Sequence, residues 1–148
     1  DLSDPKNPSM KGELKIPGFS SYLHPLAAIL ILGVGQEAGK VKLSLFDVSN
    51  PSDPKELDKY QLDEYWKDVS STHHAFLQDK DHGVFFLPGG NNGYIFSYKD
   101  NKLKLEKAVS NIQAKRALYI NDIMYIVGSD KIVTVDEKTW ERIGEMEL

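Results

Sequence analysis

Residues 41–54 combine the alternation of a strand with a rigid turn. Three apolar residues, Val41, Leu43 and Leu45, alternate with polar ones, and two Asx-Pro steps follow before residue 55. A period of two is typical of a strand with one buried face. Proline restricts its own φ and disfavours helix at the preceding residue, so the steps end the strand. The pattern predicts a strand over residues 41–48 followed by a turn.

The remaining chain alternates short apolar segments with turns rich in Gly, Asn and Asp, and no segment shows a sustained helical period with caps. The segment 22–35 is almost wholly apolar and could be a buried helix on composition alone. Comparison with the next repeat favours two strands with a tight bend near Ala27-Ala28. Thirteen strands are predicted in all: 10–16, two within 22–35, 41–48, 56–62, 74–78, 84–87, 94–98, 103–109, 117–120, 123–127, 132–135 and 142–148.

The chain is internally repetitive. The opening motif Asp-Leu-Ser-Asp-Pro-Lys-Asn-Pro returns 46 residues later as Asp-Val-Ser-Asn-Pro-Ser-Asp-Pro. His24-Pro-Leu26 and His74-Ala-Phe76 lie 50 residues apart, and Arg116-Ala-Leu118 takes the same place in a third unit. Units of about 40 to 50 residues with four strands each are typical of β-propeller blades.

The predicted fold class is therefore all-β: a partial β-propeller of about three four-stranded antiparallel blades plus one extra N-terminal strand. The predicted blades cover residues 21–62, 72–109 and 115–148, and strand 10–16 is assigned to a preceding blade. Propellers typically need at least four blades to close a ring. Either further blades complete the ring in a longer protein, or copies of the chain form a homo-oligomer through open blade edges. The abrupt beginning and end of the chain favour the first arrangement.

Composition excludes several classes of function. The chain has 148 residues, a net charge of −4 and no cysteine, which excludes thiolate catalysis and zinc–thiolate sites. Lysine and arginine are scattered, so no nucleic-acid partner is expected. The longest apolar run, 25–34, is too short for membrane insertion, and no signal peptide is predicted in this segment. No nucleophile elbow, phosphate loop or zinc-protease helix occurs. No catalytic residue, cofactor or metal site is predicted.

Four runs, at 12–20, 22–26, 41–49 and 47–55, carry a resemblance to a known family. The chain resembles secreted archaeal and bacterial proteins with a C-terminal β-propeller domain distantly related to WD repeats, most strongly over residues 1 to about 90. That family usually shows Asp-His-Lys-Ala-Phe, where this chain has Thr-His-His-Ala-Phe ending at residue 76. The resemblance implies a propeller in a secreted or cell-surface protein, without an established activity or catalytic residues to carry over.

Three residues form the most specific candidate site. His24, His74 and Arg116 are predicted to begin the innermost strand of each blade, at the end where the inter-blade loops lie. They would then form a polar ring at the mouth of the central channel, able to bind an anion or a metal. The alternative is that they hold inter-blade loops in place by hydrogen bonds.

Other candidate ligand-binding residues lie in loops. Tyr65 and Trp66 could be recognition anchors, because aromatic side chains concentrate binding energy at interfaces, or could cover the gap between blades. Asn91 and Asn92 lie in the turn 88–93, which turn chemistry alone explains. The run Asp-Lys-Asp-His-Gly at 79–83 begins like a calcium loop but lacks the later ligands, so a hairpin turn explains it better.

The predicted function is a non-enzymatic β-propeller scaffold that mediates protein or glycan binding at the cell surface. The alternative is a hydrolase-like or lyase-like site at the channel mouth that uses His24, His74 and Arg116. A third interpretation is a structural role in envelope assembly, because open blade edges are natural sites for strand addition.

Overall fold

The computed structural model describes residues 1–63 and 75–148, which contain three four-stranded antiparallel sheets. Each sheet pairs its strands in sequence order, so each is a simple meander. The predicted fold class, a partial propeller with three four-stranded blades, is confirmed.

Blade 1 contains β1 (Phe19–Pro25), β2 (Leu30–Glu37), β3 (Lys40–Asp47) and β4 (Lys55–Leu62). Blade 2 contains β5 (Leu77–Asp79), β6 (Val84–Gly89), β7 (Asn92–Ser97) and β8 (Lys104–Ser110). Blade 3 contains β9 (Arg116–Ile120), β10 (Ile123–Val127), β11 (Lys131–Asp136) and β12 (Arg142–Glu147).

The apolar segment 22–35 forms two strands, as predicted. The bend is closed by a hydrogen bond of 2.9 Å from the Leu26 amide to the Leu30 carbonyl. Gly35 lets β1 and β2 approach each other closely, since a Cβ added there would lie 1.8 Å from the carbonyl oxygen of Phe19. This segment therefore pairs with itself in a hairpin.

The repeated Asx-Pro motif is a pair of consecutive side-chain turns. In the second copy, Asp47 Oδ1 and Asn50 Oδ1 accept the backbone N–H two residues ahead, at 2.8 and 3.1 Å. In the first copy, Asp1 and Asp4 do the same at 2.9 and 3.0 Å. Asx side chains that bond to the following backbone favour turns over helix or strand. The motif is therefore a structural turn in both places.

The core consists of two apolar layers, one on each side of blade 2. Phe85 and Leu87 of β6 face blade 1, and Val84 and Phe86 face blade 3. Because both faces of blade 2 are buried, its strand β6 reads as a continuous apolar run and not as an alternation. Blade 1 contributes Leu26, Leu32, Val34, Val41, Leu43, Leu45 and Leu62 to the first layer, and blade 3 contributes Met124, Ile126, Val133 and Val135 to the second.

Two strand predictions need correction. Residues 10–16 form no strand, because a strand needs a hydrogen-bonded neighbour and none among the described residues pairs with this segment. Leu14 and Ile16 instead line a groove against blade 1. The assignment of this segment to a preceding blade stays a prediction. The strand predicted at 74–78 begins only at Leu77. Within 1–63 and 75–148, no helix is long and apolar enough to cross a bilayer.

Candidate functional site

Two members of the predicted ring of His24, His74 and Arg116, namely His24 and Arg116, do not lie at the same end of the blades. His24 is the sixth of seven residues in β1, where the strand turns into β2, so its predicted position at the start of the strand is wrong. Arg116 is the first residue of β9. His24 and Arg116 therefore occupy opposite ends of equivalent strands. His74 lies outside the described residues, as do Tyr65 and Trp66. Ligand binding by these residues stays a prediction.

His24 lies in a hydrogen-bonded bridge between blade 1 and blade 2. Its Nδ1 lies 2.9 Å from the Tyr22 hydroxyl, and its Nε2 lies 3.3 Å from Oε1 of Gln78. The Gln78 amide nitrogen donates to the Leu26 carbonyl and the Tyr98 hydroxyl, both at 2.9 Å. Burial lowers the pKa of His24, which favours the neutral ring. These contacts match the alternative interpretation, in which the residue supports the inter-blade junction.

The turn that contains Asn91 and Asn92 also contacts the segment between blades. Gly90 has φ 51°, a conformation that glycine adopts without strain, between the paired residues Gly89 and Asn92. The Asn91 carbonyl accepts hydrogen bonds from the Ile112 and Gln113 amides at 3.0 and 3.4 Å. The Asn92 side chain donates to the Tyr94 hydroxyl at 2.9 Å. The two asparagines are thus engaged in local structure, and ligand binding by them stays a prediction.

A polar cluster that the sequence analysis did not predict lies between blades 2 and 3. Asp79 ends β5, and His82 follows in the hairpin turn before β6. From blade 3, Asp122 comes from the turn between β9 and β10, and Glu137 from the turn between β11 and β12. In a four-stranded meander, the first and third turns lie at the same end of the sheet. All four side chains therefore meet at that end.

His82 is the centre of this cluster. Its Nδ1 lies 2.8 Å from Oδ2 of Asp79 and 3.0 Å from Oε2 of Glu137, and its Nε2 lies 3.1 Å from Oδ1 of Asp122. The side chains of Asp79 and Glu137 are fully buried, whereas Asp122 is exposed at the rim. Asp79, His82 and Glu137 each offer one ligand atom, and these three atoms lie within 4.8 Å of one another.

The cluster shifts the acidity of its members in opposite directions. Burial, together with the neighbouring Asp79, raises the pKa of Glu137 to about 8. Burial would also raise the pKa of Asp79, but hydrogen bonds such as that from His82 hold it below its usual range. The hydrogen bond to Asp79 in turn raises the pKa of His82. A charged Asp79–His82 pair beside a protonated Glu137 is the form that these shifts favour at neutral pH.

Backbone contacts fix the two halves of the cluster. Asp79 Oδ1 accepts the amides of Asp81 and His82 at 2.9 and 3.3 Å, which holds the hairpin turn. The Glu137 amide donates to the Asp122 carbonyl at 2.8 Å, which ties the two turns of blade 3 together. Of the two buried carboxylate oxygens of Glu137, Oε2 lies 3.0 Å from His82 Nδ1, and Oε1 accepts no hydrogen bond. Glu137 is thus positioned by its backbone and by His82, and its Oε1 is unsatisfied.

A second candidate site is the groove on the outer face of blade 1, the face turned away from blade 2. The groove has a volume of about 500 Å³, and Leu14, Ile16, Leu23, Ile31 and Phe46 are among its lining residues. The buried Lys42 lies at its edge, with Nζ 3.1 Å from Glu37 Oε2, 3.1 Å from Glu56 Oε1 and 2.9 Å from the Pro17 carbonyl. The groove therefore combines apolar side chains with the charge of Lys42, which Glu37 and Glu56 neutralise.

The sequence contained a partial signal for the polar cluster. The run at 79–83 was interpreted as a hairpin turn only, and the structure confirms that it is a turn. Asp122 and Glu137 lie in turns at the same end of the next blade. A search for acidic residues and histidines in the turns at that end would have selected Asp122 and Glu137 together with Asp79 and His82. The distances between these side chains could not be derived from the sequence, because they depend on how blade 3 packs on blade 2.

Comparison with known proteins identifies the family. The family described as Beta propeller domain matches residues 1–140. The chain is 60% identical, over its full 148 residues, to an uncharacterized protein of Archaeoglobus fulgidus. It is 42% identical over 150 residues to an uncharacterized protein of Methanocaldococcus jannaschii. The chain spans 24% of the length of each of these relatives. Since the match covers nearly the whole chain and the structure holds three successive blades, the chain belongs to the β-propeller domain family.

Proposed function

We propose that this chain is part of a larger β-propeller that acts as a non-enzymatic scaffold, binding a protein or glycan partner at the surface of the cell. The observation that carries the proposal is the chemistry of the two outer blade faces, on blade 1 and blade 3. On both faces, exposed apolar side chains alternate along the strands with the apolar side chains that are buried on the opposite face of the same blade. We further propose that each outer face packs against another four-stranded blade of the same polypeptide.

On blade 1, the outer face consists of residues that alternate with the buried core. Ile31 and Phe46 pair across β2 and β3, next to the buried pair Leu32 and Leu45. Leu23 of β1 extends this face and is 58% exposed. A single exposed leucine is ordinary, but a contiguous apolar patch marks an interaction surface. Lys42 would not oppose packing there, because Glu37 and Glu56 already neutralise it.

On blade 3, the outer face is opposite the buried Met124 and Ile126. Leu118, Ile120 and Met146 lie on it and are 45, 55 and 57% exposed. The two relatives are about four times as long as this chain, so their polypeptides are long enough to supply further blades. This supports blades of the same polypeptide as the occupants of both faces.

The described residues favour a binding role over an enzymatic one. The hydrolase-like alternative needs His24 and Arg116 close together, but they lie at opposite ends of their strands. His24 is instead engaged in the bridge to Gln78. Fold alone does not assign function, so the scaffold role rests on the outer faces and on these placements.

The packing part of the proposal is tested by sedimentation of the 148-residue chain and of the variant Leu23→Lys/Leu118→Lys. We expect concentration-dependent self-association of the original chain through its apolar faces and its loss in the variant. Lys115→Glu, a change of an exposed charge between blades 2 and 3, is the control and should leave association unchanged. If the chain stays monomeric at high concentration, the proposal that the outer faces are packing surfaces is contradicted. A discrete closed dimer or trimer would show that copies, and not further blades, occupy them.

The binding part is tested by titrating purified cell-surface proteins and polysaccharides against the chain. We expect Tyr65→Ala/Trp66→Ala to weaken binding about tenfold or more, as for aromatic hot spots. Asn91→Ala and Asn92→Ala probe the loop at 88–93. Turnover of any of these polysaccharides would overturn the proposed non-enzymatic role. Binding that none of the four changes affects would overturn the assignment of the binding residues.

A further inference from the structure

We propose that Asp79, His82 and Glu137 form a binding site for one divalent transition-metal ion, and that Asp122 orients the histidine ligand. This site goes beyond the scaffold role and does not depend on it. It lies at the junction of blades 2 and 3, so an ion there would link the two blades.

The geometry of the ligand atoms suits a single ion. Metal–ligand bonds of 2.0–2.2 Å place neighbouring ligand atoms roughly 3.3 Å apart in a tetrahedral site. His82 Nδ1 lies 2.8 Å from Asp79 Oδ2 and 3.0 Å from Glu137 Oε2. The three ligand atoms lie within 4.8 Å of one another, so small side-chain adjustments would accommodate the ion.

The buried side chain of Glu137 is an independent indication of a missing ligand. The residue is 3% exposed, and although its Oε2 lies 3.0 Å from His82 Nδ1, its Oε1 accepts no hydrogen bond. A buried carboxylate without a partner is costly, and proteins normally pair such groups or use them to coordinate metals. A divalent cation would pair with the carboxylates of Glu137 and Asp79 at the same time.

The second nitrogen of His82 has the environment of a metal-bound histidine. Ligating histidines usually donate their other ring N–H to a carboxylate, which fixes the tautomer and the ring orientation. His82 Nε2 lies 3.1 Å from Asp122 Oδ1, and Asp122 Oδ2 lies 2.5 Å from Lys138 Nζ. Asp122 can therefore hold the proton on Nε2 and leave the Nδ1 lone pair directed at the ion.

The site also has access to solvent and room for a further ligand. A pocket of about 410 Å³ is lined by His82, Glu137 and Trp140, among others. Charged residues of both signs also line it, so it is polar and can hold water as the fourth ligand. One imidazole and two carboxylates suit Zn²⁺, Mn²⁺ or Fe²⁺. Ca²⁺ prefers six to eight oxygen ligands, so it should bind less well.

The test is equilibrium dialysis of the 148-residue chain against Zn²⁺, Mn²⁺ and Ca²⁺ separately, with bound metal counted per chain. We expect one Zn²⁺ or Mn²⁺ per chain and at least tenfold weaker binding of Ca²⁺. Glu137→Gln, which keeps the shape of the side chain, should abolish stoichiometric binding. Asp122→Asn should weaken binding about 10–100-fold, as expected for a residue that orients a ligand. Co²⁺ gives a second readout, because its visible spectrum reports the coordination geometry of the bound ion.

His24→Gln is the matched control, because His24 also lies between two blades but no carboxylate contacts its ring. It should bind metal like the original chain. Circular dichroism of each variant without metal separates loss of the site from loss of the fold, and the milder Asp122→Asn keeps the test decisive if Glu137→Gln unfolds. Less than one ion per chain at saturating Zn²⁺ and Mn²⁺ would overturn the proposal. Unchanged binding by Glu137→Gln, or equal loss in His24→Gln, would overturn it as well.

Discussion

His82 of blade 2 lies 3.0 Å from Glu137 of blade 3, measured from Nδ1 to Oε2. The carboxylate is buried, and its other oxygen, Oε1, accepts no hydrogen bond, so the junction of blades 2 and 3 contains a partly unsatisfied carboxylate. The other junction is built differently. Between blades 1 and 2, neutral groups of His24, Gln78 and Tyr98 satisfy one another. The charged pair at this junction, Asp58 and Lys102, is not fully buried, whereas the side chains of Asp79 and Glu137 at the junction of blades 2 and 3 are fully buried.

The apolar layer between blades 1 and 2 should depend on Phe85. This side chain is fully buried and stacks on Phe96 with ring centroids 5.5 Å apart. Phe85→Ala should lower the free energy of unfolding by about 3–5 kcal/mol, because it leaves a cavity in the layer. Chemical denaturation measures the loss. Leu118→Ala, at an exposed position, should cost under about 1 kcal/mol, and an equal loss for both variants would contradict this account of the core.

The hairpin of β1 and β2 should require glycine at position 35. In Gly35→Ala the new Cβ would lie 1.8 Å from the Phe19 carbonyl oxygen, which is backbone and cannot rotate away. The strands must separate, and we expect a loss of stability of about 3 kcal/mol, as for overpacking.

Gly39→Ala is the comparison for this prediction. Gly39 has φ 82°, and a Cβ added there would have nothing within 4 Å, so only conformational strain of about 1–2 kcal/mol is expected. Thermal unfolding followed by circular dichroism measures both. A greater loss for Gly39→Ala than for Gly35→Ala would show that close approach of the strands is not the dominant constraint.

The bridge through Gln78 should stabilise the junction of blades 1 and 2. Its amide donates to the Leu26 carbonyl and to the Tyr98 hydroxyl, and Gln78→Leu would leave both acceptors and His24 without these partners. A loss of about 1–3 kcal/mol is expected from buried polar groups that lose a partner. Urea denaturation measures it. Gln61→Leu, on the exposed side of β4, should be nearly neutral, and equal effects would argue against the bridge.

The ion pairs around Lys42 should make the free energy of unfolding decrease as the pH falls into the acidic range. The hydrogen bond from Lys42 lowers the pKa of Glu37 below its unfolded value. A lowered folded pKa gives stability that is present above the unfolded pKa and is lost as the pH falls through the folded pKa. We therefore expect unfolding in urea to become easier below about pH 4.5, the usual pKa of Glu.

Glu37→Gln tests this dependence, because it removes the titrating group and keeps the size of the side chain. The variant should be less stable than the original chain at pH 7, and its stability should fall less steeply below about pH 4.5. Glu147→Gln, at the exposed end of β12, serves as control and should keep the original profile. An unchanged acid profile in Glu37→Gln would mean that other carboxylates dominate.

The strands and their order were largely predictable from the sequence. Alternation in β3 and the turn residues around it are local signals, because a strand with one buried face needs a period of two and a hairpin needs specific turn residues. The split of residues 22–35 into β1 and β2 was predictable from the repeat. Residues 10–16 alternate in the same way, yet form no strand, since alternation describes one face and does not supply a hydrogen-bonded neighbour.

The candidate sites depended on tertiary structure. His24 was predicted at the start of its strand, but β1 extends back to Phe19 and leaves His24 near its end. His82 and Glu137 are 55 residues apart in the sequence, and no local pattern indicates that they touch. The distance between them is set by the apolar layer that packs Phe86 and Ile95 against Met124 and Ile126. The strands, the turns and the number of blades in this chain were therefore predictable, since they follow from local periodicity and backbone restriction. Which polar side chains meet depends on the packing of one blade on the next, because that packing brings turns of different blades together.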